Sequence, residues 1–304
     1  MNSEIPAPTT WHGRVRLTDW GVIRARGEDA RSFLHGQLTQ DVLQLPADRA
    51  RLAGYCSAKG RLLASFVVWA DPAGSDVLLA CSADLLPQVL KRLRMYVLRA
   101  KCQLSDASDD LPLYGLVGAE VPGDVPWALT AKVGGACIRL PDAAGQRRAL
   151  VAGAVLGEEG ALPLAAWQWL EVHSGVPRIV AATAEQFVPQ MVNLEALDGV
   201  NFSKGCYPGQ EVVARSQYRG TLKRRAYLAE ADALLAPGAE VFDLAEPEQP
   251  AGTVVLAAAV AGRPSVALLS LKTANAGGRL VCGAPDGVPL RLRALPYPLP
   301  VDAA

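Results

Sequence analysis

Beyond residue 221 the chain carries short strand-like runs, at 226–229, 253–258, 266–271 and 290–295, cut apart by Gly and Pro. A helix needs apolar positions three or four apart over at least ten residues, and these runs are too short and too densely punctuated for that. They predict a small, closed β structure at the C-terminal end. Upstream the texture is mixed. Residues 20–26, W-G-V-I-R-A-R, alternate as a half-buried strand does, and after Gly27 residues 28–38 place Ala30, Phe33, Leu34 and Leu38 on one helical face. Residues 62–69 and 76–81 read as a strand pair joined by the turn Asp71-Pro72-Ala73-Gly74. Leu85, Val89, Leu93 and Val97 recur every four residues and give the clearest helix, with Asp84 as its expected N-cap and Pro87 in its first turn. The Gly/Ala/Pro-rich stretch 121–160 predicts only weak strands. Residues 167–173 look helical and stop at Gly175-Val176-Pro177; 205–209 is a tight turn, and 210–217 a short helix ending near Gly220. The pattern is that of an α+β body followed by an all-β domain, with the break near Thr221.

Composition removes several function classes. Of 304 residues, 30 are basic and 30 acidic, so no bulk attraction to nucleic acid or anionic lipid is expected. No apolar stretch approaches the roughly 18–20 residues that span a bilayer, and the first dozen residues lack the apolar core of a signal peptide. A soluble, cytoplasmic protein is expected. Charge is nonetheless clustered: 91–101 holds Lys91, Arg92, Arg94, Arg99 and Lys101 with no acid, and 204–225 holds six basic residues against Glu211 alone. Two readings stay open, solvated protein surface or an anion site for a polyanionic ligand such as an RNA backbone.

The six cysteines, Cys56, Cys81, Cys102, Cys137, Cys206 and Cys282, form no C-x-x-C pair, and with three histidines they give no local metal knuckle. Free thiols and no self-contained metal site are expected. One cysteine stands out, in Lys204-Gly205-Cys206-Tyr207-Pro208-Gly209-Gln210-Glu211. Two glycines bracket it, so a sharp bend would leave the side chain unshielded. Pro208 suits the first position of a helix whose positive end would face Cys206, and Lys204 adds a mobile cation two residues away. Both effects favour thiolate. For the other five cysteines ordinary burial is expected.

This octapeptide resembles the K-G-C-Y-x-G-Q-E signature of the YgfZ family, folate-binding relatives of the glycine-cleavage T-protein, an aminomethyltransferase. The similarity extends through Phe187-Val188-Pro189-Gln190, Asn193-Leu194 and Gly199-Val200-Asn201-Phe202 before it and Val213-Ala214-Arg215 after it. Upstream, Phe33-Leu34-His35-Gly36-Gln37-Leu38-Thr39 and Lys59-Gly60-Arg61 also fit, as does Leu295-Pro296-Tyr297 near the end. The resemblance covers most of residues 18–225.

The resemblance implies a ring-like body of two α+β subdomains over 12–220, discontinuous in sequence, and a C-terminal β-barrel over 221–304. It implies tetrahydrofolate bound in a cleft marked by two tryptophans, which match Trp20 and Trp167. It implies a role in assembly or repair of iron–sulfur clusters, and thereby support of tRNA methylthiolation, with iron–sulfur proteins or assembly factors as partners. Direct tRNA contact stays open. The family's essential cysteine falls on Cys206, at the cleft, with Lys204 beside it and Gly205, Tyr207, Gly209, Gln210, Glu211 and Arg215 as supporting residues. Physically, tryptophan faces can stack on a flat pterin. One departure matters: where the T-protein carries a catalytic aspartate after its glycine turn, this chain has Ala64, which can neither accept a proton nor orient a cation. An accessory role is therefore expected over aminomethyl transfer, and a folate-dependent one-carbon transferase or demethylase is the alternative.

Overall fold

The computed structural model describes residues 10–153, 160–218 and 222–300. In chain order the first elements are β1 (Gly13–Arg16), β2 (Trp20–Arg26), α1 (Ala30–His35), β3 (Arg51–Cys56), β4 (Leu62–Ala70), β5 (Val77–Ser82), α2 (Leu86–Arg94) and β6 (Gln103–Asp106). Next come β7 (Leu113–Val117), β8 (Leu129–Lys132), β9 (Gly135–Ala143), β10 (Gln146–Ala152), α3 (Leu164–His173) and α4 (Gln210–Tyr218). The remainder is all β: β11 (Arg224–Ala231), β12 (Glu240–Asp243), β13 (Pro250–Ala258), β14 (Ser265–Lys272), β15 (Leu280–Cys282), β16 (Val288–Pro289) and β17 (Arg291–Arg293). The expected break at Thr221, and the helix end at Gly220, lie outside the described residues.

These strands make three sheets, ordered β3-β4-β5-β2-β6, β1-β7-β10-β9-β8 and β16-β15-β12-β13-β14-β11-β17. The first described strand thus joins the second sheet, through Gly13 opposite Val117, while β2 joins the first. The edges of the seven-stranded sheet, β16 and β17, are separated in sequence by Leu290 alone. The sheet therefore curls until its two edges nearly meet, a nearly closed barrel around Val241, Val254, Leu269 and Leu271.

Local chemistry explains the best-defined helix, with one correction. In α2 the buried face is Leu86, Val89, Leu90 and Leu93, and Pro87 sits in the first turn. Asp84 does not cap it. The N-cap is Leu85, and the Asp84 carboxylate instead accepts the backbone N–H of Ala181 at 3.0 Å. One core runs through both five-stranded sheets into the barrel, taking in Leu228, Val255 and Leu268. Trp169 of α3 donates its indole N–H to Pro264 O at 3.0 Å. Asn193, in the left-handed region at φ 58°, exchanges two hydrogen bonds of 3.0 Å with the backbone of Ala226. No described helix is long and apolar enough to cross a membrane.

Candidate functional site

Where the two five-stranded sheets meet α3 lies a narrow cavity of about 40 Å³, room for a few water molecules. Trp20 of β2 and Trp167 of α3 are both on its wall. Trp127 is a third ring there, which the sequence reading did not single out; it stands at φ 68°, unusual for a bulky residue. Trp169, two positions from Trp167, packs away from the cavity against Trp11 and His173, with ring centroids 5.3 and 3.7 Å apart.

Each of the two expected tryptophans is held by an arginine. The Arg178 guanidinium lies 4.8 Å from the Trp20 ring centroid. It is fully engaged: it donates to both Glu171 oxygens (2.6 and 3.1 Å), to the Asp19 carboxylate (2.8 Å), to Asp19 O and to Ser82 Oγ. Burial opposes its charge, but Glu171 and Asp19 more than offset that and raise its pKa. Trp167 lies on the backbone of Gly115, and Arg148 of β10 stands 5.2 Å from its ring centroid. Arg148 is 2 % exposed, and burial lowers its pKa to about 10. Its Nε and one Nη reach Pro141 O at 3.4 and 3.3 Å, while Nη1 has no partner. The indole N–H groups of Trp20 and Trp167 also lack partners.

The acceptors on this wall are already engaged. Glu171 is held by Arg178. Ser65 Oγ donates to Pro177 O and accepts the N–H of Ile179. Ala64 is fully buried and not on the wall; its neighbour Ser65 is. Arg148 carried a faint sequence signal: strand alternation puts it on one face with the cavity residue Leu150.

Cys206 occupies a separate place and is not on the cavity wall. It is the one exposed cysteine; the other five are buried. Burial pushes the Cys56 and Cys81 thiols up to about 12. The loop before Cys206 is shaped by Asn201, whose side chain accepts the N–H groups of Ser203 and Lys204 at 2.9 Å. The loop after it is shaped by Gly209 at φ 78°, since a Cβ there would come within 2.4 Å of Ser57 O and 2.6 Å of Gly60 Cα. Gly60, itself at φ 70°, is also closely packed: a Cβ there would come within 2.8 Å of Val212 Cβ in α4 and 3.2 Å of Gly209 O. The glycines of K-G-R and of K-G-C-Y-P-G are thus two halves of one close backbone contact. Gly205 has no such requirement.

Three expectations about this loop are corrected. The helix begins at Gln210, after Gly209, so Pro208 is not its first residue. Lys204 is not mobile but 8 % exposed, donating to His35 O (2.5 Å) and Leu38 O (3.0 Å) and lying 4.8 Å from the Tyr207 ring centroid. Burial lowers its pKa to about 8, against the pull of Asp41 and Cys206. Cys206 is also not grouped with Trp20 and Trp167. What the sequence did not reveal is His35. Its Nδ1 meets Asp41 Oδ1 at 3.0 Å, and a Cβ on Gly205 would lie 3.6 Å from its Nε2. Of the supporting residues, Tyr207 is buried, and Glu211 pairs with Arg215 at 2.6 Å on the exposed face of α4. Gln210 opens α4, which Gln190 secures by donating to Val213 O at 2.8 Å. Among the described residues no cluster of three or more His, Cys, Asp or Glu could hold a metal.

No protein-family model matches the chain. Curated relatives do. The tRNA-modifying protein YgfZ of Serratia proteamaculans is 31% identical, over 94% of this chain and 92% of its own. That of Edwardsiella ictaluri is 35% identical over 70% and 69%. The chain belongs to the YgfZ family. Among solved structures, the glycine cleavage system aminomethyltransferase T from Bartonella henselae superposes with a TM-score of 0.73 at 17% identity, covering 95% of this chain and 87% of that one. The YgfZ chain therefore has the aminomethyltransferase T fold, as the sequence led one to expect.

Proposed function

We propose that this YgfZ protein is a tetrahydrofolate-binding accessory protein, cytoplasmic, that supports tRNA modification through assembly or repair of iron–sulfur clusters, with Cys206 as its working thiol. The observation that carries the folate half is the cavity bearing Trp20 and Trp167, whose unpartnered indole N–H groups and neighbouring Arg148 suit a flat ligand with polar edges. These residues would hold the ligand in a cavity that must widen to admit it; a reduced folate, when bound, supplies nitrogens that carry one-carbon units. The thiol half rests on Cys206 as the one exposed cysteine, next in sequence to Gly205, where a Cβ would lie 3.6 Å from His35 Nε2. The names of the curated relatives support the link to tRNA modification.

The one-carbon transferase reading has less support. The carboxylate on the cavity wall is Glu171, and both its oxygens accept from Arg178, which keeps it from acting as a base. Direct tRNA binding through the basic segments also loses ground. Lys204 points inward, Arg94 donates to Leu104 O, Lys101 pairs with Glu28, and Arg225 pairs with Glu195.

The test is Cys206→Ala expressed in cells lacking their own copy. The purified variant should still bind tetrahydrofolate, while methylthiolated tRNA and the activity of iron–sulfur enzymes stay at the level of cells without the protein. Full restoration by this variant would overturn the role of the thiol.

A further inference from the structure

The turn that follows α2 exposes large apolar side chains that folding does not account for. Leu98 is 87 % exposed, Met95 66 % and Tyr96 45 %, a patch within four residues rather than scattered exposure. Leu98 also stands at φ 41°, inside a turn closed by the Ala100 N–H donating to Val97 O at 2.8 Å. A left-handed position favours glycine or asparagine, and leucine there brings the fold no burial in return. Outliers of this kind gather at functional surfaces. The charge around the patch is uncompensated. Lys91, Arg92, Arg94 and Arg99 make no ion pair among the described residues, and of this basic run Lys101 alone is paired, with Glu28. Arg94 donates to Leu104 O and Arg92 reaches the Tyr55 hydroxyl, contacts that leave both charges standing. The helix dipole explains basic residues in the last turn of α2, but not Arg99 or the apolar tip.

The tip is linked to the loop of Cys206 through two residues. The Tyr55 hydroxyl lies near both Arg92 and Tyr96, the Tyr55 backbone bridges to Leu38, and Leu38 O accepts from Lys204, two positions before the thiol. Resting on the reading of Cys206 as a thiol that serves other proteins, we infer that this tip docks the partner protein, with Leu98 entering an apolar pocket ringed by carboxylates. Charge complementarity sets the partner's chemistry, since four unpaired cations around an apolar anchor call for an acidic rim. The link to the thiol favours a protein over a bilayer or an RNA. An interface of standard size, about 800 Å² per partner, is wide enough to take in both the tip and the Cys206 loop.

The test varies the amount of protein in cells lacking their own copy and reads methylthiolated tRNA and iron–sulfur enzyme activity. Leu98→Asn suits the left-handed turn, so its melting midpoint should be unchanged or higher, with the Cys206 thiol titrating as in wild type. It should nonetheless need roughly tenfold more protein than wild type for half restoration, the loss of one central anchor. The double variant Lys91→Glu/Arg99→Glu should need at least as much, and provides the readout should Leu98→Asn fail to fold. Leu98→Met should match wild type. A docking defect yields to concentration, whereas Cys206→Ala should not be rescued at any level. Dose curves of both tip variants equal to wild type, with Cys206→Ala inactive, overturn this inference and leave the role of the thiol standing. Pelleting with phosphatidylglycerol vesicles, retention of tRNA or dimerisation by wild type, lost in Leu98→Asn, would assign the tip to a bilayer, an RNA or a second copy and overturn it as well. Full restoration by Cys206→Ala overturns the reading of the thiol, and this inference falls with it.

Discussion

Gly115 of β7 lies directly under the Trp167 indole: a Cβ on Gly115 would come within 2.3 Å of the ring. The missing side chain is what lets the indole lie flat on the strand beside the cavity. Gly115→Ala is expected to force Trp167 out of position and to cost about 1–3 kcal/mol, as overpacking does. Thermal melting and a tetrahydrofolate titration would show it, as a lower midpoint together with weaker binding. Unchanged binding would mean that the position of Trp167 does not matter to the ligand.

Cys206 should be the one thiol that reacts quickly in the native protein. Thiol titration with a colourimetric disulfide reagent is expected to give one fast equivalent, absent in Cys206→Ser, and the other five only after denaturation. Asp41 takes the Nδ1 side of His35, which leaves Nε2 turned toward Gly205, next in sequence to Cys206. His35→Ala should slow the fast phase, by roughly three- to tenfold. An unchanged rate would separate the histidine from the thiol.

His173 predicts an acid sensitivity. Burial lowers its pKa from 6.5 to about 4, with Arg263 and Arg293 adding to this against Glu230. Its folded pKa is therefore below its unfolded value, and the unfolded chain takes up the proton first as pH falls. Stability is full above about pH 6.5 and is lost progressively toward pH 4, by on the order of 2–3 kcal/mol for this group. Urea midpoints measured across that window should fall less steeply in His173→Phe than in wild type.

The contact of Gly209 with Ser57 O and Gly60 makes a further prediction. Gly209→Ala meets both a positive φ and a Cβ clash against backbone, so it should cost more than the usual glycine substitution, about 2 kcal/mol or more. It should also alter the reactivity of Cys206 while leaving the tetrahydrofolate cavity, built elsewhere, intact. Equal damage to both properties would show that the loop and the cavity act as one unit.

Elements with a strong local period were legible in the sequence. Residues 20–26 form a strand over that same span, and the four-residue spacing of Leu85, Val89 and Leu93 marks α2 to within a few residues. Elements without a period were not. Residues 51–56 and 113–117 are buried on both faces as β3 and β7, so R-L-A-G-Y-C and L-Y-G-L-V show no alternation to read. The pairing of Gly13 with Val117 across a hundred residues leaves no local trace at all. The cavity was half legible. Trp20 and Trp167 came from the resemblance to a family, while Arg148 and Trp127 join them only through the meeting of two sheets. Cys206 was found by its glycine-flanked motif, but the lysine beside it was misread, because nothing local says that Lys204 turns inward to two carbonyls.

The most direct test is a calorimetric titration of tetrahydrofolate into the purified protein, followed in parallel by tryptophan fluorescence, with Trp20→Ala and Trp167→Ala alongside. The folate-site assignment predicts saturable one-to-one binding by wild type, with quenching, and a loss of at least about tenfold in affinity in each variant. Wild-type binding that survives both substitutions, or no binding at all, would contradict the assignment of this cavity to folate.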